Sequence, residues 1–245
     1  MQRSPLLAPV RFAGALTLGQ TVTLDDVAVA GLAFREVNVS EAFTLVDAEG
    51  RFFRASLKAP AQALVYESFD VAPESPALIT LFCAILGRQR MILVTQKAAE
   101  LGCDAMVPVV TQYSVQPGPA LEKEKPWAWR GQSLKGSRQC RRGSVMQVHE
   151  PIDLQKALAL PAWTGAHARF FLDDRGAAVP TDELRPRAGA YALMVGPEGG
   201  FSDAERALLL AAKGKSLRLG GRVLRAETAV FAGLSVLQHR LGDLR

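Results

Sequence analysis

The sequence predicts an α/β fold with an open sheet, preceded by a small domain of β-strands. Three observations carry this. From residue 78 onward, short apolar runs alternate with stretches of helical periodicity. Two late runs, Tyr191 to Val195 and the one ending in Leu217 and Leu219, each break at glycines and open into a helix. The first 75 or so residues instead hold β-rich stretches separated by turns.

In chain order, Val10 to Leu16, Gln20 to Val29 and Phe43 to Val46 read as β-rich. Asp47-Ala48-Glu49-Gly50 is a hairpin turn, Arg51 to Leu57 is its partner strand, and Leu64 to Val71 adds another. The connector Ala72-Pro73-Glu74-Ser75-Pro76 divides the chain into domains at 1–73 and 74–245. Leu78 to Leu86 is an apolar strand, stopped by Gly87. Gln89 to Leu101 is a helix with Met91, Val94, Ala98 and Leu101 on one face; Gly102 ends it before the strand Ala105 to Val110. Pro117 to Pro126 is a loop. Trp127 and Trp129 follow, as core residues or as a base-stacking platform. Val145 to Val148 is a strand, and Asp153 caps a helix over Leu154 to Leu160. His167 to Leu172 is a strand that ends in Asp173-Asp174-Arg175-Gly176, a turn rather than a metal pair. Ser202 and Glu205 form a capping box for the next helix. The last helix runs from Glu227 to Leu241, and its Val230, Leu234, Leu237 and Leu241 face either the core or a dimer partner.

Composition narrows the class. The 245 residues make one or two domains, and 49% hydrophobic with 22% charged residues is ordinary for a soluble globular protein. No apolar run reaches membrane-span length, and the N-terminus lacks signal-peptide order, so a cytoplasmic protein is expected. Cys83, Cys103 and Cys140 show neither a disulfide framework nor zinc spacing. His149, His167 and His239 are scattered, which excludes a legible triad or metal site. The net charge of +5 suits a polyanion. Arg130, Lys135, Arg138, Arg141 and Arg142 fall within thirteen residues that hold no acid. They are either a solvated helix face or contacts to RNA phosphates.

Two glycine loops at strand C-termini are where open α/β sheets hold ligands. A phosphate is the first guess for such a loop. Glu198 inside the first loop repels one, and neither a P-loop nor a Gly-x-Gly-x-x-Gly is present. A cationic or neutral ligand read by backbone groups fits better.

Gly196-Pro197-Glu198-Gly199-Gly200-Phe201, followed by Leu219-Gly220-Gly221-Arg222-Val223-Leu224-Arg225-Ala226-Glu227-Thr228-Ala229, closely resembles the ribosomal RNA uridine-N3 methyltransferases of the SPOUT superfamily. Thr95-Gln96-Lys97-Ala98-Ala99-Glu100-Leu101-Gly102 resembles the same family, with Lys97 and Glu100 as site or dimer residues, or as an exposed helical pair. The resemblance implies S-adenosylmethionine as methyl donor, a trefoil-knotted C-terminal domain, an N-terminal PUA-like β-barrel and a homodimer acting on small-subunit ribosomal RNA. It further implies a cofactor pocket of Leu172, Gly196, Pro197, Glu198, Gly199, Gly200, Leu219, Gly220, Leu224, Arg225 and Thr228. Arg225 is the candidate for stabilising charge on the target base, with Glu198 and Glu227 as bases or orienters; a salt bridge from Arg225 to either carboxylate is the other reading.

The chain departs from the family in four places. Gly31-Leu32-Ala33-Phe34-Arg35-Glu36 replaces a histidine-led RNA-contact segment, with Arg35 as nearest basic residue or an ordinary surface arginine. Gln112-Tyr113-Ser114 stands for Glu-Arg-Ser, Arg138 for an acidic residue, and Met146 for a proline. These changes leave two further readings: an RNA-binding or ribosome-assembly protein without turnover, or a methyltransferase for another RNA site.

Overall fold

The computed structural model describes residues 4–175, 179, 184 and 189–244. The chain forms two compact units. One holds the residues up to Glu74 together with Ser137–Val145; the other holds Ser75–Gly136 and the chain from Met146 onward. Chain order assigns residues 137–145 to the second domain, yet they fold with the first.

The first unit is a five-stranded sheet. Its order is β1 (Val10–Arg11), β3 (Ala42–Val46), β4 (Phe52–Ala59), β5 (Gln62–Ser68), β2 (Thr21–Thr23), with β1 and β3 parallel and the other pairs antiparallel. Inward residues such as Val22, Phe43, Leu45, Phe53, Ala55 and Val65 alternate with outward ones and make its core. The β3–β4 hairpin is closed by Asp47, whose carboxylate accepts from the backbone N–H groups of Glu49 and Arg51. Two expected strands are shorter. Val10 to Leu16 contracts to β1, and Gln20 to Val29 divides into β2 and the first turn of α1 (Asp26–Phe34). Asp25 caps that helix by accepting from Ala28 N–H at 2.8 Å, and the cap outweighs the β preference of the two valines.

Arg35 is neither a surface residue nor an exposed RNA contact. It is 5% exposed and donates to the carbonyls of Leu6, Ala8, Gly31 and Gly143. It holds the 137–145 segment in the first unit. Glu74 does the same from the other end, accepting from Ser144 N–H, the Ser144 hydroxyl and Arg142.

The second unit is a parallel sheet of seven strands among the described residues: β6 (Ala77–Ala84), β7 (Ala105–Val110), β8 (Gln147–Val148), β9 (Ile152–Asp153), β10 (Ala168–Leu172), β11 (Gly189–Val195) and β12 (Lys215–Leu217). Its order is β12-β10-β11-β6-β7-β8, with β9 also on β7. Helices are α2 (Arg88–Glu100), α3 (Pro119–Lys123), α4 (Trp129–Gln139, of which the part up to Gly136 belongs to this unit), α5 (Leu154–Ala159), α6 (Pro161–Thr164), α7 (Asp203–Ala211) and α8 (Ala226–Leu241). The expected loop from Pro117 to Pro126 thus contains α3. Both sheet faces are covered, as buried parallel strands require. Ile79, Leu81 and Leu193 belong to one core, which α2 and α8 share; Phe82, Ala192 and Met194 belong to the other, with Trp163 and Leu209.

Several expectations resolve here. Val230, Leu234 and Leu237 are fully buried and Leu241 nearly so, which makes that face of α8 core rather than dimer surface. Lys97 and Glu100 pair with each other at 2.7 Å on α2. Trp129 is core, whereas Trp127 is 67% exposed. Cys83 and Cys103 are buried and not joined in a disulfide, and burial pushes the Cys83 thiol up to about 12. Among the described residues no helix is long and apolar enough to cross a membrane. Gly176 of the expected turn lies outside the described residues.

Candidate functional site

A cleft of about 520 Å³ opens at the C-terminal ends of β10, β11 and β12, all within the second unit. There the strand order reverses direction, the place where open α/β sheets receive ligands. Its walls are Leu172–Arg175 after β10, Val195–Asp203 after β11, and Leu217–Gly220 with Arg222–Leu224 after β12; Tyr113, Ala226 and Ala229 complete it.

The first glycine loop is built by packing and hydrogen bonds. A Cβ on Gly196 would stand 3.1 Å from the Phe201 ring, which packs edge-on against Phe171. Gly200 holds φ +70°, a left-handed conformation that side chains other than glycine rarely adopt. Ser202 and Glu205 make the expected capping box. Glu205 does more: its other oxygen accepts from Gln112 N–H at 2.8 Å, tying the loop after β7 to the one after β11. Below them, Asp173 accepts from Arg206 at 2.6 Å, and Arg175 reaches Asp203 and the Phe201 carbonyl. Of the two aspartates expected to form a turn, Asp173 serves this ion-pair layer while Asp174 offers its backbone carbonyl to Arg218, and among the described residues no cluster suited to a metal is present.

The second loop differs. Gly220 to Val223 is exposed, with Val223 85% exposed. Among the described residues no backbone–backbone hydrogen bond ties Leu219 to Leu224. The Arg218 guanidinium bonds the Asp174 carbonyl.

Leu172, Gly196, Pro197, Glu198, Gly199, Gly200, Leu219, Gly220 and Leu224 all line the cleft. Arg225 and Thr228 do not; both are exposed, at the N-cap and first turn of α8, beside lining residues Leu224, Ala226 and Ala229. Glu198 and Glu227 come together, but on a residue that sequence reading missed. Arg90, in the first turn of α2, pairs with Glu198 and brings its Nε to 3.9 Å from Glu227. The expected alternative partner, Arg225, makes no ion pair with either among the described residues. Nothing local in the sequence signals Arg90, since it stands more than 100 positions from both carboxylates.

The basic stretch divides. Arg138 pairs with Glu41 at 3.0 Å, Arg141 with Glu67 at 3.2 Å, and Arg142, its side chain 5% exposed, with Glu74 at 3.1 Å. All three bonds lie inside the first unit. Arg130 and Lys135 are exposed on α4.

The cleft offers backbone groups from two loops and the apolar side chains of Leu172, Val195, Leu217, Leu219 and Leu224. Such a wall suits a ligand with a flat apolar ring and polar edges. Neither Cys nor His stands among the described lining residues, and the Ser202 hydroxyl is engaged in the cap. S-adenosylmethionine, an adenosine carrying a sulfonium, fits this donor set.

Comparison with known proteins follows the same line. A family model described as an RNA methyltransferase domain matches residues 73–238. The ribosomal RNA small subunit methyltransferase E of Aquifex aeolicus is 30% identical over 165 residues, 67% of this chain and 69% of that protein. The protein of the same name from Neisseria gonorrhoeae, solved bound to S-adenosyl methionine, superposes with a TM-score of 0.70 at 29% identity, covering 97% of this chain and 100% of that one. A Legionella pneumophila protein solved with the bound cofactor SAM gives a TM-score of 0.68 at 31% identity, covering 96% and 98%.

Proposed function

Because the chain belongs to the RNA methyltransferase domain family, we propose that it transfers a methyl group from S-adenosylmethionine to N3 of a uridine in small-subunit ribosomal RNA. The observation that carries this reading is the pair of glycine loops walling one cleft at the strand ends, in a chain that resembles S-adenosylmethionine-bound relatives over nearly its whole length.

When bound, the cofactor supplies a methyl group on a positively charged sulfur. The chain's task is then alignment, since in-line displacement gains much of its rate from positioning. The backbone of Gly196–Gly200 and Leu219–Gly220 holds the adenosine, with Leu172 and Leu224 against its ring. Uridine N3 must lose its proton as it takes the methyl, and negative charge then spreads to the flanking oxygens. Arg225, exposed at the lip beside Leu224, swings in to stabilise that charge. Glu198, which lines the cleft, and Glu227, which shares Arg90 with it, are the carboxylates assigned to receive the proton or to orient the groups that do. Arg130, Lys135, Arg138 and Arg141 hold RNA phosphates, the last two by exchanging their partly exposed glutamate partners for phosphate, and Arg142, buried on Glu74, serves the fold.

The finer architecture belongs to the same reading: a trefoil knot in the second unit, a PUA-like barrel in the first, and a homodimer built by the second unit. Isothermal titration with S-adenosylmethionine in the presence of a chelator tests the proposal at its base. One site per chain is expected, with no metal requirement. Absence of heat at millimolar ligand overturns it.

A further inference from the structure

We propose that Tyr113 is the surface on which the target nucleobase stacks while it receives the methyl group. This rests on the reading of the cleft as a methyl-transfer site and goes beyond it by naming the substrate-binding residue.

Two aromatic rings stand among the described residues of the cleft wall. Phe201 is 5% exposed and held edge-on by Phe171. Tyr113 is 54% exposed. An aromatic ring half in water gains little from folding, so its place on the rim calls for a partner that arrives later.

Its backbone is already fixed. Thr111 N–H donates to the Ser114 hydroxyl at 2.8 Å, and Gln116 donates its amide to the carbonyls of Thr111 and Ser114 at 2.8 Å each. Gln112 N–H donates to Glu205. The Tyr113 side chain then leaves the loop against Gly199: a Cβ there would stand 3.1 Å from Cβ of Tyr113 and 3.3 Å from its Cγ. The glycine makes room for the tyrosine, and the ring is carried on a mount anchored from both sides. Little freedom remains to be lost on binding, the condition for an efficient stacking platform.

The chemistry supplies the need. N3 lies on the Watson–Crick edge, which pairing and stacking hide, so a base must leave its stack before the atom is reachable. An enzyme that takes a base out of RNA replaces the lost stacking with an aromatic face. Tyr113 is the exposed aromatic among the described lining residues of this cleft, on the loop that flanks Glu198 and Gly199.

The test uses the full chain with purified small ribosomal subunits, tritiated S-adenosylmethionine, and the variants Tyr113→Ala and Tyr113→Phe. Tyr113→Ala is expected to lower kcat/KM for the subunit by about 5- to 150-fold, the range for one base–aromatic stack. Tyr113→Phe keeps the ring and should stay within about threefold of wild type. The dissociation constant for S-adenosylmethionine, read by calorimetry, should change less than about twofold in both variants, which also shows that they fold. Two results overturn the proposal: Tyr113→Ala within twofold of wild type on RNA, or a loss of cofactor affinity as large as the loss of kcat/KM, which would assign the ring to the adenine. If wild type itself transfers no methyl group, the functional reading fails separately. Filter binding of small-subunit RNA to the cofactor-saturated protein then decides, with equal affinities for wild type and Tyr113→Ala overturning the platform.

Discussion

The two glycine loops look alike in sequence and differ in how they are held. Gly196–Gly200 is fixed by Phe201 beneath it, by the Ser202–Glu205 cap behind it and by Tyr113 beside it. Leu219–Leu224 has an 85%-exposed valine and no backbone–backbone hydrogen bond among the described residues. One wall of the cleft is built before the ligand arrives. If the other closes on the ligand, part of the binding energy goes into ordering it.

The largest expected effect breaks the prebuilt wall. Glu205→Ala removes the capping box and strands the N–H groups of Gln112 and Ser202. A loss of about 2–4 kcal/mol in unfolding free energy is expected from the missing cap and the unsatisfied donors, checked by urea denaturation. A much smaller effect sharpens the contrast from the other side. Val223→Ser removes an apolar side chain that the free protein leaves in water, so stability should stay within about 0.5 kcal/mol. If the loop closes over the ligand, calorimetry should still find S-adenosylmethionine about three- to tenfold weaker, the burial of a few methyl groups. Equal cofactor affinity would mean that the second loop stays open when the site is filled.

How much of this could be read beforehand follows from the range of the interactions. The Ser202–Glu205 box lies within four residues and was legible; the third bond of Glu205, to a loop 93 positions earlier, was not. Arg90 meets Glu198 and Glu227 only because α2 and α8 share one face of the sheet, a tertiary fact. The Asp25 cap is hidden in the sequence because Val27 and Val29 raise the β signal. The run of basic residues was legible as charge, but its partners Glu41, Glu67 and Glu74 lie 68 to 97 residues away in chain order. A charge cluster read in one dimension overstates how much of it remains for a ligand.

The central claim is that this cleft delivers a methyl group to a uridine of small-subunit RNA. Mass spectrometry of nucleosides from that RNA, in cells with and without the gene, addresses it directly. N3-methyluridine is expected to be present in the first, lost in the second, and restored by the wild-type chain but not by Arg225→Ala. An unchanged N3-methyluridine level on deletion would contradict it.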